Sequence, residues 1–160
     1  MRAFLMGVCA FCLLLSASAH SKRVTPSPLL GRWAVDVARL DMPPDARPRR
    51  VEIVFSSAQA GALTTRVEVV DAAGNTLSTE GTTTLDGAPA VIENGFEADA
   101  SATTMPASNV LVMQLARGGI PASTRVYTVS KDGRTMVETV AYVGADRRPF
   151  MRTNHFERVR

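Results

Sequence analysis

The chain's punctuation constrains its fold more than any other feature. From Gly31 onward, short stretches with an apolar residue at every second position alternate with clusters of Gly, Asp, Asn and Ser, at the spacing of about 8 to 12 residues that marks a sandwich or barrel. Val51-Glu52-Ile53-Val54-Phe55 and Leu63-Thr64-Thr65-Arg66-Val67-Glu68-Val69 each put mostly apolar residues on one side and mostly polar ones on the other, so each buries one face of a strand. Similar stretches lie at 76–85, 110–116, 123–130, 134–143 and 150–159. Turn signals separate them at Asp71-Ala72-Ala73-Gly74-Asn75, Asp86-Gly87, Arg117-Gly118-Gly119 and Lys131-Asp132-Gly133. With Gly31–Val37 and the weaker candidates 88–93 and 100–105, the expected total is about ten strands.

A Val- and Thr-rich composition agrees, because β-branched side chains suit pleated surfaces and are penalised in helices. No stretch after the N-terminal segment has helical periodicity, and 38–50 carries Pro43, Pro44 and Pro48, which reads as an extended connection. Most gaps are long enough only for hairpins between neighbours, so up-and-down connectivity is expected over a Greek key. Closure into a barrel then removes exposed edges. The expected fold is all-β: a single antiparallel up-and-down β-barrel of about 8–10 strands, without a substantial helix, whose interior is either filled by side chains or holds one small ligand.

The first segment has a different character. Arg2 precedes thirteen uncharged residues, Ala3 to Leu15, and Ala17-Ser18-Ala19 supplies small residues at the positions a signal peptidase reads. This is the three-part pattern of a secretory signal peptide, expected at 1–19. The apolar run is shorter than the roughly 20 residues a membrane-spanning helix needs, so no stable membrane anchor is expected. Cys9 and Cys12 lie inside the apolar run, so neither is placed as a lipoprotein cysteine. Cleavage after Ala19 leaves 141 residues without cysteine, destined for the periplasm or secretion. Residues 20–28, with Pro26 and Pro28, read as a flexible leader, and 29–160 as the barrel domain.

At Leu30-Gly31-Arg32-Trp33-Ala34-Val35-Asp36 the chain resembles the opening Gly-x-Trp strand of lipocalin-like proteins. It is more closely similar to small bacterial secreted lipocalin-like (calycin-type) proteins of unassigned function. The likeness continues in the proline-rich Met42-Pro43-Pro44, the hairpin Val129-Ser130-Lys131-Asp132-Gly133-Arg134-Thr135 and the terminal strand ending Phe156-Glu157-Arg158. The Thr-Asp-Tyr element, disulfide and C-terminal helix of typical lipocalins are missing. The resemblance implies that Gly31, Trp33 and Arg158 close one end of the barrel, with the arginine over the indole. The alternative is an ordinary core tryptophan and a solvated terminal arginine.

The architecture makes a noncatalytic, exported binding protein the first functional expectation, with a small hydrophobic or amphipathic ligand inside the barrel. The residues expected to contact it are Trp33, Val67, Val69, Tyr127 and Tyr142, with Arg125 and Arg152 available to anchor a ligand carboxylate. Both arginines sit within strands between apolar or aromatic neighbours, and guanidinium binds carboxylate in a bidentate manner. The competing reading for both is outward display on a polar face. The alternative function is a filled barrel acting as an envelope accessory or protein-interaction module. Seven aromatics, Trp33, Phe55, Phe96, Tyr127, Tyr142, Phe150 and Phe156, are available to fill it.

Other chemistry finds little footing. A net charge of +3, spread along the chain, does not mark a nucleic-acid partner. Only His20 and His155 are present, so no Ser-His-Asp grouping follows from spacing. Cleavage after Ala19 would make His20 an N-terminal copper chelator with His155, a legitimate but remote arrangement. Carboxylate pairs Glu93/Glu97 and Asp86/Asp99 lie near turns and read as solvated. No cofactor, metal or catalytic residue is expected, and the chain reads as no enzyme. Arg47, Arg49 and Arg50, with Arg147, Arg148, Arg152, Arg158 and Arg160, form two basic clusters that would touch an anionic surface if they met at one barrel end, or else keep strand ends soluble.

Overall fold

The computed structural model describes residues 26–144 and 146–160. The signal segment, Cys9, Cys12, His20 and most of the leader lie outside the described residues.

Ten strands follow one another: β1 (Gly31–Val35), β2 (Arg50–Ser57), β3 (Leu63–Val70), β4 (Thr76–Thr83), β5 (Asp86–Glu93), β6 (Ala100–Ala107), β7 (Val110–Arg117), β8 (Ile120–Val129), β9 (Thr135–Val143) and β10 (Pro149–Val159). Each pairs antiparallel with its neighbours in sequence, and β1 pairs with β10 to close the barrel. This is the expected all-β, up-and-down, closed architecture. The only helical elements among the described residues are 3₁₀ turns at Val37–Arg39, Pro44–Ala46 and Gln59–Gly61.

The register explains why the two-residue period was so regular. Directly opposed residues share a face, and the run Trp33↔Ile53, Ile53↔Val67 and Val67↔Thr79 carries one inward layer across four strands. Leu111↔Tyr127, Tyr127↔Glu138 and Glu138↔Asn154 carry another across β7 to β10. One turn signal lies elsewhere than expected. Asp86 and Gly87 belong to β5, and the chain reverses at Thr84-Leu85 instead. The Asp86 carboxylate accepts from Thr84 Oγ1 at 2.7 Å and from the Ala88 amide at 3.0 Å, so it serves the turn from inside the strand.

The barrel has two unlike ends. At one, the hairpin 130–134, the connection 57–63 and residues 27–30 converge on Trp33, which is completely buried. The Arg158 guanidinium lies 4.1 Å from the indole ring centroid. It donates to the carbonyls of Leu30 (2.8 Å), Gly133 (2.6 Å) and Pro28. Trp33 Nε1 donates to Leu29 O at 2.8 Å. Gly31 is required here: its φ is +124°, and a Cβ would stand 2.6 Å from Arg158 Nη1. Ser27 and Pro28, read from sequence as the end of a flexible leader, are fastened to this end, Ser27 Oγ donating to Ser108 O at 2.6 Å.

Above this closure the interior is filled. Phe55 meets Tyr127 edge to face at 5.4 Å between centroids, and Tyr127 meets Phe156 at 6.4 Å. Leu111, Val129 and Met136 are buried among them. The opposite end is formed by the connections 36–49, 71–75, 94–99, 118–119 and 144–148, and toward it the packing gives way to a cavity.

Candidate functional site

The cavity has a volume of about 310 Å³ and opens between the 36–49 and 94–99 connections, which contribute Leu40 and Gly95 to Ala98 to its lining. Its walls differ in chemistry. Strands β2 and β3 present Val51, Ile53, Val67 and Val69, and Ile92 and Leu40 extend this apolar side. Strands β8 to β10 present Arg125, Tyr127, Glu138 and Asn154. A ligand seated here meets hydrocarbon on one side and a charged hydrogen-bonding wall on the other.

The charged wall is built around Arg125, whose side chain is 17% exposed. Its Nη1 donates to Glu138 Oε1 at 2.7 Å, and its Nη2 donates to Glu97 Oε2 and, at 3.3 Å, to the Tyr142 hydroxyl. Glu138 is 2% exposed, and its second oxygen accepts from Asn154 Nδ2 at 2.7 Å. Burial works against the Arg125 charge, but Tyr127, Glu138, Tyr142 and Glu97 more than offset it and hold its pKa above the usual guanidinium value. Burial, with the Glu138 charge next in strength, pushes the Tyr127 hydroxyl well above the ordinary tyrosine range. Both carboxylates of the wall are thus paired with its one largely buried guanidinium.

Several polar atoms of the lining have no protein partner: Glu97 Oε1, Arg125 Nε, Thr65 Oγ1 and the hydroxyl of Thr83, a residue only 3% exposed. Buried polar groups are ordinarily paired, since leaving one unpaired costs about 1–3 kcal/mol. These atoms are buried behind the accessible surface of the wall, so the fold itself bears the cost of leaving them unpaired.

Of the residues expected to contact a ligand, Val67, Val69, Tyr127 and Arg125 line the cavity. Trp33 does not; it lies in the closed end beneath Arg158. Tyr142 shares the inward phase of β9 but is not part of the lining; it stacks on Phe150 at 5.1 Å and accepts from Arg125. Arg152 shares the inward phase of β10 but is exposed above Phe150, 5.4 Å from its ring, where β10 extends past the end of β1. Glu97 departs from the sequence reading most sharply: instead of a solvated carboxylate near Glu93, it folds over the mouth onto Arg125. The two basic clusters do not merge. Arg47, Arg49, Arg50, Arg147, Arg148 and Arg152 belong to the open end, whereas Arg158 and Arg160 belong to the closed one. His155 meets Arg39 Nη2 at 2.9 Å through Nε2.

Glu138 and Asn154 were not among the expected site residues, although a signal for Glu138 existed. It occupies the apolar phase Met136-Glu138-Val140-Tyr142 of β9, as Arg125 occupies the phase Ser123-Arg125-Tyr127-Val129 of β8. Opposite charges on the buried phases of consecutive strands imply an internal ion pair, because neither is tolerated alone. Glu97 carried no such signal, since it lies in a connection without period. Among the described residues no group of three or more His, Cys, Asp or Glu side chains is placed to hold a metal, and no helix is long and apolar enough to cross a membrane. No protein-family model matches this chain, and no curated protein matches its sequence.

Proposed function

We propose that this chain is an exported, noncatalytic binding protein of lipocalin-like type that holds a small amphipathic molecule in the open half of its barrel. The cavity of about 310 Å³ carries the reading. It lies at the small end of the roughly 300–1,000 Å³ typical of ligand pockets, and it combines apolar walls with a few convergent polar groups. The signal-peptide pattern of residues 1–19 supports export to the periplasm or beyond. The noncatalytic reading rests on Glu138, the one fully buried carboxylate of the wall, which commits both oxygens to Arg125 and Asn154.

Native mass spectrometry of the protein purified from its own host should reveal a co-purifying small molecule. Calorimetric titration with 1-octanol, a neutral probe, should show saturable binding at one site. Val67→Phe puts a larger side chain into the cavity from the apolar wall. It should weaken octanol binding at least about tenfold with little loss of stability, because the added atoms enter open space and not a packed core. A wild-type protein that carries no molecule and binds no octanol would end this reading.

A further inference from the structure

The outer surface of the barrel is divided into two unlike flanks. Around β1 to β4 the outward side chains are charged and joined to one another: Arg32 and Arg50 pair with Glu52, and Arg50 and Arg66 with Glu68. The flank of β6 to β9 is the opposite. Its strands contain no charged residues other than Arg117, Arg125 and Glu138. Arg125 and Glu138 face the interior, and Arg117, at the open end of β7, is committed to the carbonyls of Gly95 and Glu97. The outward positions follow from the register. One row runs Thr104↔Val112, Val112↔Val126 and Val126↔Thr139, and the next runs Ala102↔Gln114, Gln114↔Thr124 and Thr124↔Ala141. Neither row holds a charge. In β7 the stretch Val110-Leu111-Val112-Met113 is apolar on both phases, the pattern of a strand covered on both faces. The core covers its inner face, and among the described residues nothing covers the outer one.

We infer that this flank is the interface of a symmetric dimer, in which the outer faces of β6 to β9 from two copies of the chain pack sheet on sheet. Charge selects the partner. A two-fold axis sets a patch against its own copy, so a patch without charge meets no like charge there. An anionic lipid surface, by contrast, would need basic side chains that this flank lacks. Its one amide side chain is already satisfied: Gln114 Nε2 donates to the carbonyls of Leu115 and Ser123, both at 3.0 Å, and Thr124 Oγ1 donates to Gln114 Oε1 at 2.5 Å. Covering it therefore leaves no donor or acceptor of that group unpaired. Toward the open end Ile120 and Val143, 71% and 68% exposed, continue the apolar surface. Charged residues gather beyond its margins, in the 130–134 hairpin and the 144–148 connection, which is the anatomy of an apolar centre with a polar rim. Four strands of at least 8 residues, about 4.8 Å apart and rising about 3.3 Å per residue, make a patch of roughly 500 Å². Two facing patches come to about 1,000 Å², the scale of a reversible dimer and not of a permanent one.

Sedimentation velocity of the chain processed after Ala19, over a concentration series, should show a reversible monomer–dimer equilibrium with a dissociation constant of about 1–100 μM. Val126 lies between Val112 and Thr139 at the centre of the flank. Val126→Lys sets an ammonium against the partner copy and should raise the dissociation constant at least about tenfold. Its side chain points out of the barrel, so the unfolding midpoint of the variant should stay close to that of the monomeric wild type. Should that variant fail to fold, Thr139→Lys on the adjacent strand reads the same contact. Thr64→Lys, on the charged flank beside Ser56 and Arg66, should leave association unchanged. The cavity opens at the barrel end between the 36–49 and 94–99 connections, so octanol affinity should be equal in Val126→Lys and wild type. Loss of octanol binding thus bears on the cavity and not on the dimer. A chain that stays monomeric up to about 1 mM overturns the inference, as does a dimer that both lysine variants of the flank leave intact. A monomer that binds phosphatidylcholine vesicles, and loses that binding in Val126→Lys, gives the flank to a lipid surface and overturns the dimer as well.

Discussion

Two arginines show how residue-scale chemistry divides the labour in this barrel. Arg158 stacks on Trp33 and donates to three backbone carbonyls from two separate stretches of chain, 28–30 and Gly133. Arg125 holds two carboxylates in the cavity wall. Arg158→Lys keeps the charge but cannot both cover the indole and reach three carbonyls, because an ammonium lacks the planar fork. It should destabilise the protein by about 2–4 kcal/mol, from lost cation–π contact and unpaired carbonyls, read as a lower denaturation midpoint with unchanged m-value. Tyr127 makes a second prediction. Burial and the charge of Glu138 keep its proton on in the folded state well past the ordinary value of 10.0. Above that pH the unfolded chain binds fewer protons than the native one, so stability falls as pH rises. The denaturation midpoint should hold up to about pH 10 and decline beyond it, and Tyr127→Phe should make that decline shallower.

At the scale of elements, the strands are not equally secured to one another. β8 and β9 pair without interruption from Ser123↔Tyr142 to Val129↔Met136, and β2 and β3 pair along their whole length. β4 and β5 pair only at Glu80↔Glu93 and Gly81↔Ile92. Two like charges face each other across this seam, and on the other side of β5 the ladder with β6 is interrupted by a register shift between Asp86 and Pro89. Amide exchange should therefore be fastest along the 76–93 hairpin and slowest in β8 and β9, because few ladder bonds need to break for local opening. Uniform protection around the barrel would contradict this account. The strands themselves were legible from period and turn chemistry, including the weak candidates 88–93 and 100–105. The turn placed at Asp86-Gly87 was displaced because an Asp can serve a turn through its side chain from the first residue of the following strand.

For the molecule as a whole, closure is the decisive event, and it joins the two ends of the described chain. All four β1–β10 register pairs lie within residues 156–159 on one side and 32–35 on the other. Removing 156–160 deletes Arg158, uncovers Trp33 and exposes two strand edges together. The truncated protein should lose its cooperative unfolding transition and bind a hydrophobic dye, whereas Val159→Ala, at an exposed position, should stay within about 0.5 kcal/mol of wild type. Retention of a sharp transition in the truncated chain would show that closure is dispensable. Strand number, order and the inward phase of each strand follow from the sequence by itself, because they depend on alternation and turn residues a few positions apart. The fate of the charges does not. Whether Arg125 faces inward depends on Glu138, 13 residues on, and Glu97, 28 residues back, and a charge is stable in the interior only where such partners converge. The cavity, too, belongs to the tertiary structure, since empty volume is set by how ten strands' side chains meet and not by any one segment's composition.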